Sequence, residues 1–368
     1  MSNKDAFFAL LRAGFWEKDV ELREYGTTDF SQVLLLAQEQ SVVGLIAAGL
    51  EHVADVKIPQ EWALQFVGQM LQIEQRNKVM NVFVAELIER FRKADIYAIL
   101  VKGQGIAQCY EKPLWRTCGD VDLLLSEDNY EKTKKVLIPL ASEVETEFTH
   151  FKHQGMTIDG WDVELHGTLH SRLSARVDRM VDEVQKAVFS GGKVRSWQIG
   201  RTQVFLPAPD EDVIFVFTHI LHHFFFEGIG LRQICDWCRL LWTYRNEIDH
   251  RMLELRLRKA GIMTEWKVFA SLAVNWLGMP VDTMPLYDAN ERWRRKAERA
   301  IAFVMEVGNF GHNQRRDFSG MSYMKRKFVS FWGRLSDMMR HFRIFPLDSI
   351  WFFGGVLRSG LHAALRGE

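Results

Sequence analysis

Apolar residues recur at three- and four-residue spacing from Phe30 to Leu50 and from Trp62 to Ala94, so the first ninety-odd residues read as helices interrupted only by Pro59. The period then shortens. Ile96 to Val101 is a β-prone apolar run, and Lys102-Gly103-Gln104-Gly105 turns it into a helix around Ile106 to Tyr110. A second strand, Val121 to Leu125, follows Arg116-Thr117-Cys118-Gly119-Asp120, and a helix over Glu127 to Leu137 runs up to Pro139. From Glu143 to Leu165 the pattern predicts strands joined by turns at Gln154-Gly155 and Asp159-Gly160, the second a strong hairpin signal. Pro207-Ala208-Pro209-Asp210 leads into another helix with Asp210 as a candidate cap. Helical periodicity then continues to the C-terminus, broken near Gly261, Gly278 to Pro285, Gly308 to Gly311 and Pro346. The expected fold class is α+β: a helical N-terminal region over 1–94, a mixed-sheet domain over 95–206 and a helical C-terminal domain over 207–368. No internal repeat is visible.

Composition narrows the functional classes. Lys plus Arg and Asp plus Glu each number 47, so the formal net charge is zero and the general electrostatic footprint of a nucleic-acid binder is missing. Four cysteines in 368 residues do not form a secreted disulfide framework, and no export signal is visible, so a cytoplasmic location is expected. The most apolar stretch, Val213 to Phe226, contains His219, His222 and His223 and is shorter than the ~20 residues that cross a bilayer.

The chemistry concentrates in two strands. Asp120-Val121-Asp122-Leu123 puts two carboxylates at i and i+2, on one strand face, with Val121 and Leu123 on the other. Two like charges side by side suit a divalent oxygen-preferring cation such as Mg²⁺, which is commonly held by carboxylates together with substrate phosphates. Trp161-Asp162-Val163-Glu164-Leu165-His166 alternates in the same way and aims Asp162, Glu164 and His166 at one face. A third carboxylate from this strand would complete a two-metal site; in that scheme it also accepts the proton of the attacking group. Glu164 matches an apolar-acid-apolar pattern, whereas Asp162 lies nearer the Asp159-Gly160 turn and reads as solvated. A lone Asp-x-Asp is by itself more often a solvated strand end.

The order of these segments resembles that of the DNA polymerase β nucleotidyltransferase superfamily: strand, glycine turn, helix, strand with Asp-x-Asp, later strand with a third acid. More narrowly, Leu100-Val101-Lys102-Gly103, Tyr110, Arg116, Gly119 to Leu125 and Val163-Glu164-Leu165-His166 resemble a bacterial nucleotidyltransferase family. In that family a His-bearing helix and an Arg-x-x-x-Asp segment follow, to which Asp210 to His223 and Arg232 to Asp236 are similar. The turn departs from the superfamily's Gly-Gly or Gly-Ser. The resemblance implies that Asp120, Asp122 and Glu164 hold Mg²⁺ or Mn²⁺ and that the turn at Lys102, Gly103 and Gln104 cradles the triphosphate of an NTP. Lys102 and Arg116 flank the motif and can neutralise phosphate, although each reads equally well as a structural cation. His166 shares the strand face of Glu164 and is expected at the nucleotide site.

Other signals carry plainer readings. Cys235-Asp236-Trp237-Cys238 sits within a helix and lacks a matching second pair, so buried thiols are expected rather than zinc or redox chemistry. His219, His222, His223 and His170 read as core or cleft-lining residues. The segment from Arg315 to Glu368 holds ten Lys or Arg against four Asp or Glu and is rich in aromatics; packing, membrane-surface contact and binding of an acidic partner are its candidate roles. The leading expectation is transfer of NMP from an NTP to a small-molecule, sugar, peptide or protein acceptor with release of pyrophosphate. Long nucleic acid is disfavoured as a partner. The competing expectations are a nucleotide-binding regulatory module without turnover and a helical scaffold with an inert α/β part.

Overall fold

The computed structural model describes residues 3–148, 152–171, 173–309 and 339–349. The N-terminal helices are α1 (Asn3–Trp16), α2 (Phe30–Glu39), α3 (Val43–Glu51) and the long α4 (Gln60–Lys93). Asp29 starts α2 by accepting hydrogen bonds from the Ser31 and Gln32 backbone N–H groups. The helical span expected over Phe30 to Leu50 is divided between α2 and α3 where Ser41 takes a left-handed φ of 55°. Helices α1 and α3 meet backbone to backbone. A Cβ on Gly14 would lie 2.0 Å from the Leu45 carbonyl oxygen, and one on Gly49 would lie 2.0 Å from that of Leu10.

The sheet runs β1 (Ala98–Val101), β2 (Asp120–Leu125), β5 (Trp161–His166), β4 (His153–Ile158), β3 (Glu143–Val144). Only the β2–β5 pair is parallel. Between β1 and β2 lies the short α5 (Gly103–Ala107), and α6 (Glu127–Leu137) follows β2. The β4–β5 hairpin closes through Asp159 and Gly160, at φ 51° and 78°, the paired positive values a type I′ turn requires. Strand parity sorts the two faces. Val121, Leu123, Val163 and Leu165 pack with Met80, Phe83, Val84, Leu87 and Phe91 of α4. The alternate positions of β2 and β5 carry the acids.

After the sheet come α7 (Ala175–Phe189), capped by Ser174, and a hairpin of β6 (Val194–Ile199) and β7 (Thr202–Pro207) that packs beside β1. The sequence pattern had not separated these elements. Further helices are α8 (Pro209–Phe226), α9 (Leu231–Thr243), α10 (His250–Ala260), α11 (Met263–Leu277) and α12 (Glu291–Val307). Left-handed Gly261 and Gly278 end α10 and α11 where breaks were expected. Asp210 does not cap α8. Pro209 fits the first helical turn, which makes Ala208 the cap residue, and Asp210 instead accepts from the Asp249 backbone N–H at 2.9 Å.

The N-terminal helices share one apolar core with α7 to α12, built around Phe217, Phe224, Trp237 and Trp266. Trp16 Nε1 donates to the Leu277 carbonyl at 2.6 Å, tying α1 to the end of α11. Among the described residues no helix is long and apolar enough to cross a membrane. Most of the basic, aromatic segment after Arg315 lies outside the described residues.

Candidate functional site

Register brings the acids together. Across the parallel β2–β5 pair, Asp120 stands opposite Asp162, Asp122 opposite Glu164, and Leu124 opposite His166. Asp122 is buried, Glu164 is about one-third exposed, and Asp162 is exposed and accepts from the Thr157 hydroxyl at 3.3 Å. Of the two acids in competition on β5, Glu164 is therefore the one held among the charged groups.

Asp122 Oδ1 receives the Lys102 ammonium at 2.6 Å and His166 Nε2 at 2.8 Å. Glu164 Oε2 lies 3.2 Å from His153 Nε2 and 3.5 Å from His166 Nε2. These contacts set the charges. Burial opposes the charge on Glu164, but hydrogen bonds from His153 and His166 and the nearby Lys102 ammonium hold its carboxyl well below the usual range. A carboxylate so stabilised is suited to carrying charge. Burial likewise opposes the charge on Lys102 and His166, yet the surrounding carboxylates raise both. Asp120 is pushed up by burial and then by the like charge of Asp122.

The turn before these acids is strained. Lys102, a non-glycine residue, sits at φ 56°, and Gly103 follows at φ 42°. A Cβ on Gly103 would come within 3.3 Å of Cys118 Sγ and 3.4 Å of the Asp120 carbonyl oxygen, so the turn lies directly against the start of β2. The strain aims the Lys102 side chain at Asp122.

Two residues expected at the nucleotide face elsewhere. The Gln104 side chain is buried against α4, donating to Asn77 Oδ1 at 2.8 Å, because the first turn of α5 rotates it into the core. Arg116 is buried too. Its Nε and Nη2 donate to Asp236 Oδ1 and Oδ2 at 3.0 and 2.6 Å, and Tyr110 adds its hydroxyl to Oδ1 at 2.7 Å. Arg116 thus joins the sheet to α9 as a structural cation.

Glu164 and His166 line a cleft of about 1100 Å³, open to solvent, whose other wall includes Phe215, Thr218, His219, His222 and His223 of α8. His153 belongs to the same cleft and was not singled out from the sequence, although the hairpin turn pairs it in register with His166. His170 is held by Asp182 at 2.8 Å. Among the described residues, two groups of three side chains each bring one ligand-type atom within 4.8 Å of the others: His153, Glu164 and His166, and His222, His223 and Glu227. Asp120 and Asp122 fall in neither group, because Lys102 and His166 occupy Asp122 and the imidazoles draw Glu164 toward themselves. Cys235 and Cys238 are fully buried in α9, and burial raises both thiols, so they behave as small apolar side chains.

No curated protein and no solved structure matches the chain significantly. Residues 26–278 match a family described as an uncharacterised nucleotidyltransferase, a span that takes in the strained turn, both acid-bearing strands and the His-bearing helix. The chain therefore belongs to this nucleotidyltransferase family and is an enzyme of that class.

Proposed function

We propose that the enzyme is a divalent-metal-dependent nucleotidyltransferase that moves NMP from an NTP to a non-nucleic-acid acceptor and releases pyrophosphate. The observation that carries this reading is the register match of Asp122 with Glu164 beside Asp120 and the Lys102 turn, with Lys102 and Glu164 lining a cleft open to solvent.

The donor set fits an oxygen-preferring cation. Two carboxylates share one strand face and a third is paired across from them, and Asp120 is raised by burial and then by the like charge of Asp122. Asp120, Asp122 and Glu164 are the residues that would hold the ion. When bound, it would supply Lewis-acid stabilisation of charge building on the phosphoryl oxygens.

The chain's own groups do the rest. Lys102 is a partly buried ammonium at the cleft whose charge the surrounding carboxylates favour, placed to neutralise phosphate charge. Backbone N–H groups at the Gly103 turn offer donors to phosphate oxygens. Glu164 stays ionised beside His153 and His166, whose rings line the cleft with it. The zero net charge favours a small molecule, sugar, peptide or protein acceptor over long nucleic acid.

A thermal-shift panel of the four NTPs with and without Mg²⁺ or Mn²⁺ tests the binding half of this reading. A ligand specific for the folded state raises its stability by about 2.7 kcal/mol at a hundred times Kd. The expected result is a shift that requires both NTP and cation and that disappears in Asp122→Asn. A shift of equal size in that variant would contradict the assignment.

A further inference from the structure

A groove of about 650 Å³ lies between the start of α7 and the end of α10, lined by Arg176, Arg179, Met180, Glu183, Arg256 and Lys259. None of these residues lines the cleft that holds Lys102 and Glu164. Four cations meet one acid there. We propose that the groove is a second binding site, for a small phosphorylated ligand held by Arg176, Arg179, Arg256 and Lys259.

Three observations carry it. Arg176, Arg179 and Lys259 are exposed, and among the described residues none of them has a carboxylate partner, so their mutual repulsion is left for a ligand to relieve. Glu183 stands one turn beyond Arg179 without pairing with it. The fourth cation is fixed in place: the Arg256 side chain is 14% exposed and is held from behind by Glu211 at 3.2 Å. The chemistry then selects the ligand. One carboxylate cannot use four cations approaching from two helices, whereas a phosphate brings close to two negative charges and three acceptor oxygens. Three of the four are arginines, whose forked N–H groups match phosphate, and the groove is of the ~300–1,000 Å³ size that holds small ligands.

Helix dipoles would explain two of the four. Lys259 lies in the last turn of α10, and Arg176 Nη1 reaches the Gly261 end of that helix, 3.8 Å from where a Cβ would stand, both favourable places for positive charge. They give no reason for Arg179, which sits near the positive start of α7. The chain's own segment after Arg315 is basic, so charge excludes it as the occupant. Helix α7 also joins the groove to the cleft. On its opposite face Asp178 accepts from the Ser171 backbone N–H at 3.2 Å, Asp182 holds His170 at 2.8 Å, and Gln185 donates to the Gly167 carbonyl at 3.0 Å. A ligand in the groove would brace the helix that holds this part of the cleft wall.

The test is isothermal titration calorimetry of the full chain with inorganic pyrophosphate in EDTA, which uses neither NTP nor divalent cation and is therefore independent of the transfer reaction. Arg179→Gln and Lys259→Gln, both at exposed positions, should each weaken binding about tenfold, and Glu183→Gln should tighten it. Arg258→Gln removes an equal charge from α10, but Arg258 is paired with Glu254 outside the groove, so its Kd should match wild type. Pyrophosphate held instead by Lys102 in the cleft would keep its affinity in both groove variants, and that result would overturn the site. So would wild type binding no pyrophosphate, or an equal loss in Arg258→Gln, which would mark a diffuse charge effect. Hexaglutamate bound as tightly as pyrophosphate and lost in the same variants would overturn the phosphate assignment in favour of an acidic protein partner.

Discussion

Replacing Asp236 with asparagine should destabilise the protein by about 3–5 kcal/mol, the cost of leaving one partner of a buried ion pair uncompensated. Arg116 and Asp236 side chains are each 6% exposed, so water cannot replace the lost carboxylate. An asparagine oxygen could still accept from Arg116 Nε and from the Tyr110 hydroxyl, the 3.0 and 2.7 Å bonds to Oδ1. The 2.6 Å bond between Nη2 and Oδ2 is different, because an amide there would point a donor at a donor and the guanidinium would lose its counter-charge. Arg116 Nη1 is already buried with no hydrogen-bond partner among the described residues, which leaves little slack for rearrangement. In a chain this long a kcal/mol shifts the melting temperature by about 2 °C, so a drop on the order of 5–10 °C is expected. Urea unfolding followed by tryptophan fluorescence would read the change. A double variant, Arg116→Met with Asp236→Leu, removes both charges and should recover much of the loss. A loss under about 1 kcal/mol in Asp236→Asn, or a double variant no more stable than the single one, would refute the structural role given to Arg116.

Asp120→Asn and Asp122→Asn should both abolish transfer but move the melting temperature in opposite directions: removing Asp120 relieves repulsion, whereas removing Asp122 leaves Lys102 and His166 without their acceptor and should cost roughly 1–3 kcal/mol. Calorimetry on the two apo variants decides, and equal shifts would contradict the charge assignment. His341, packed against Phe224 and Phe303, is pushed down to about 4 by burial and then by Arg340. An unfolded imidazole titrates near 6.5, so stability held above that pH should be lost as pH falls toward 4, by at most about 3 kcal/mol. His341→Phe should flatten this slope between pH 6.5 and 4.5 in urea titrations; an unchanged slope would show that other groups carry it. Gly49→Ala should cost about 3 kcal/mol by driving α3 off α1, and an unaffected urea midpoint would mean that the two backbones are not in contact.

Local pattern made much of this structure legible. Period-two alternation placed Asp120 and Asp122 on one face and Glu164 with His166 on the neighbouring strand, because a strand buried on one side must alternate. The hairpin turn also contained more than was drawn from it. Pairing Ile158 with Trp161 across Asp159-Gly160 sets His153 opposite His166, so the imidazole beside Glu164 was available by register arithmetic. Arg116 was different in kind: its partner Asp236 is 120 residues away on α9, and nothing local distinguishes a phosphate-binding arginine from one sealed in a helical core. Gln104 faced inward because a tight left-handed turn sets the phase of the helix after it, and that phase is not written in the residue types. The strained Lys102 φ, which directs its ammonium to Asp122, was hidden for the same reason.

The central claim is that Glu164, not Asp162, completes the reactive carboxylates. Single-turnover transfer from an α-labelled NTP with Mg²⁺, run on wild type, Glu164→Gln and Asp162→Asn, tests it most directly. Glu164→Gln should slow pyrophosphate release by at least about a hundredfold while keeping much of the NTP affinity, a loss of about 2.7 kcal/mol of transition-state stabilisation. Asp162→Asn, on an exposed position whose carboxylate accepts from the Thr157 hydroxyl, should release pyrophosphate at close to the wild-type rate. A slower step in Asp162→Asn than in Glu164→Gln would contradict the account.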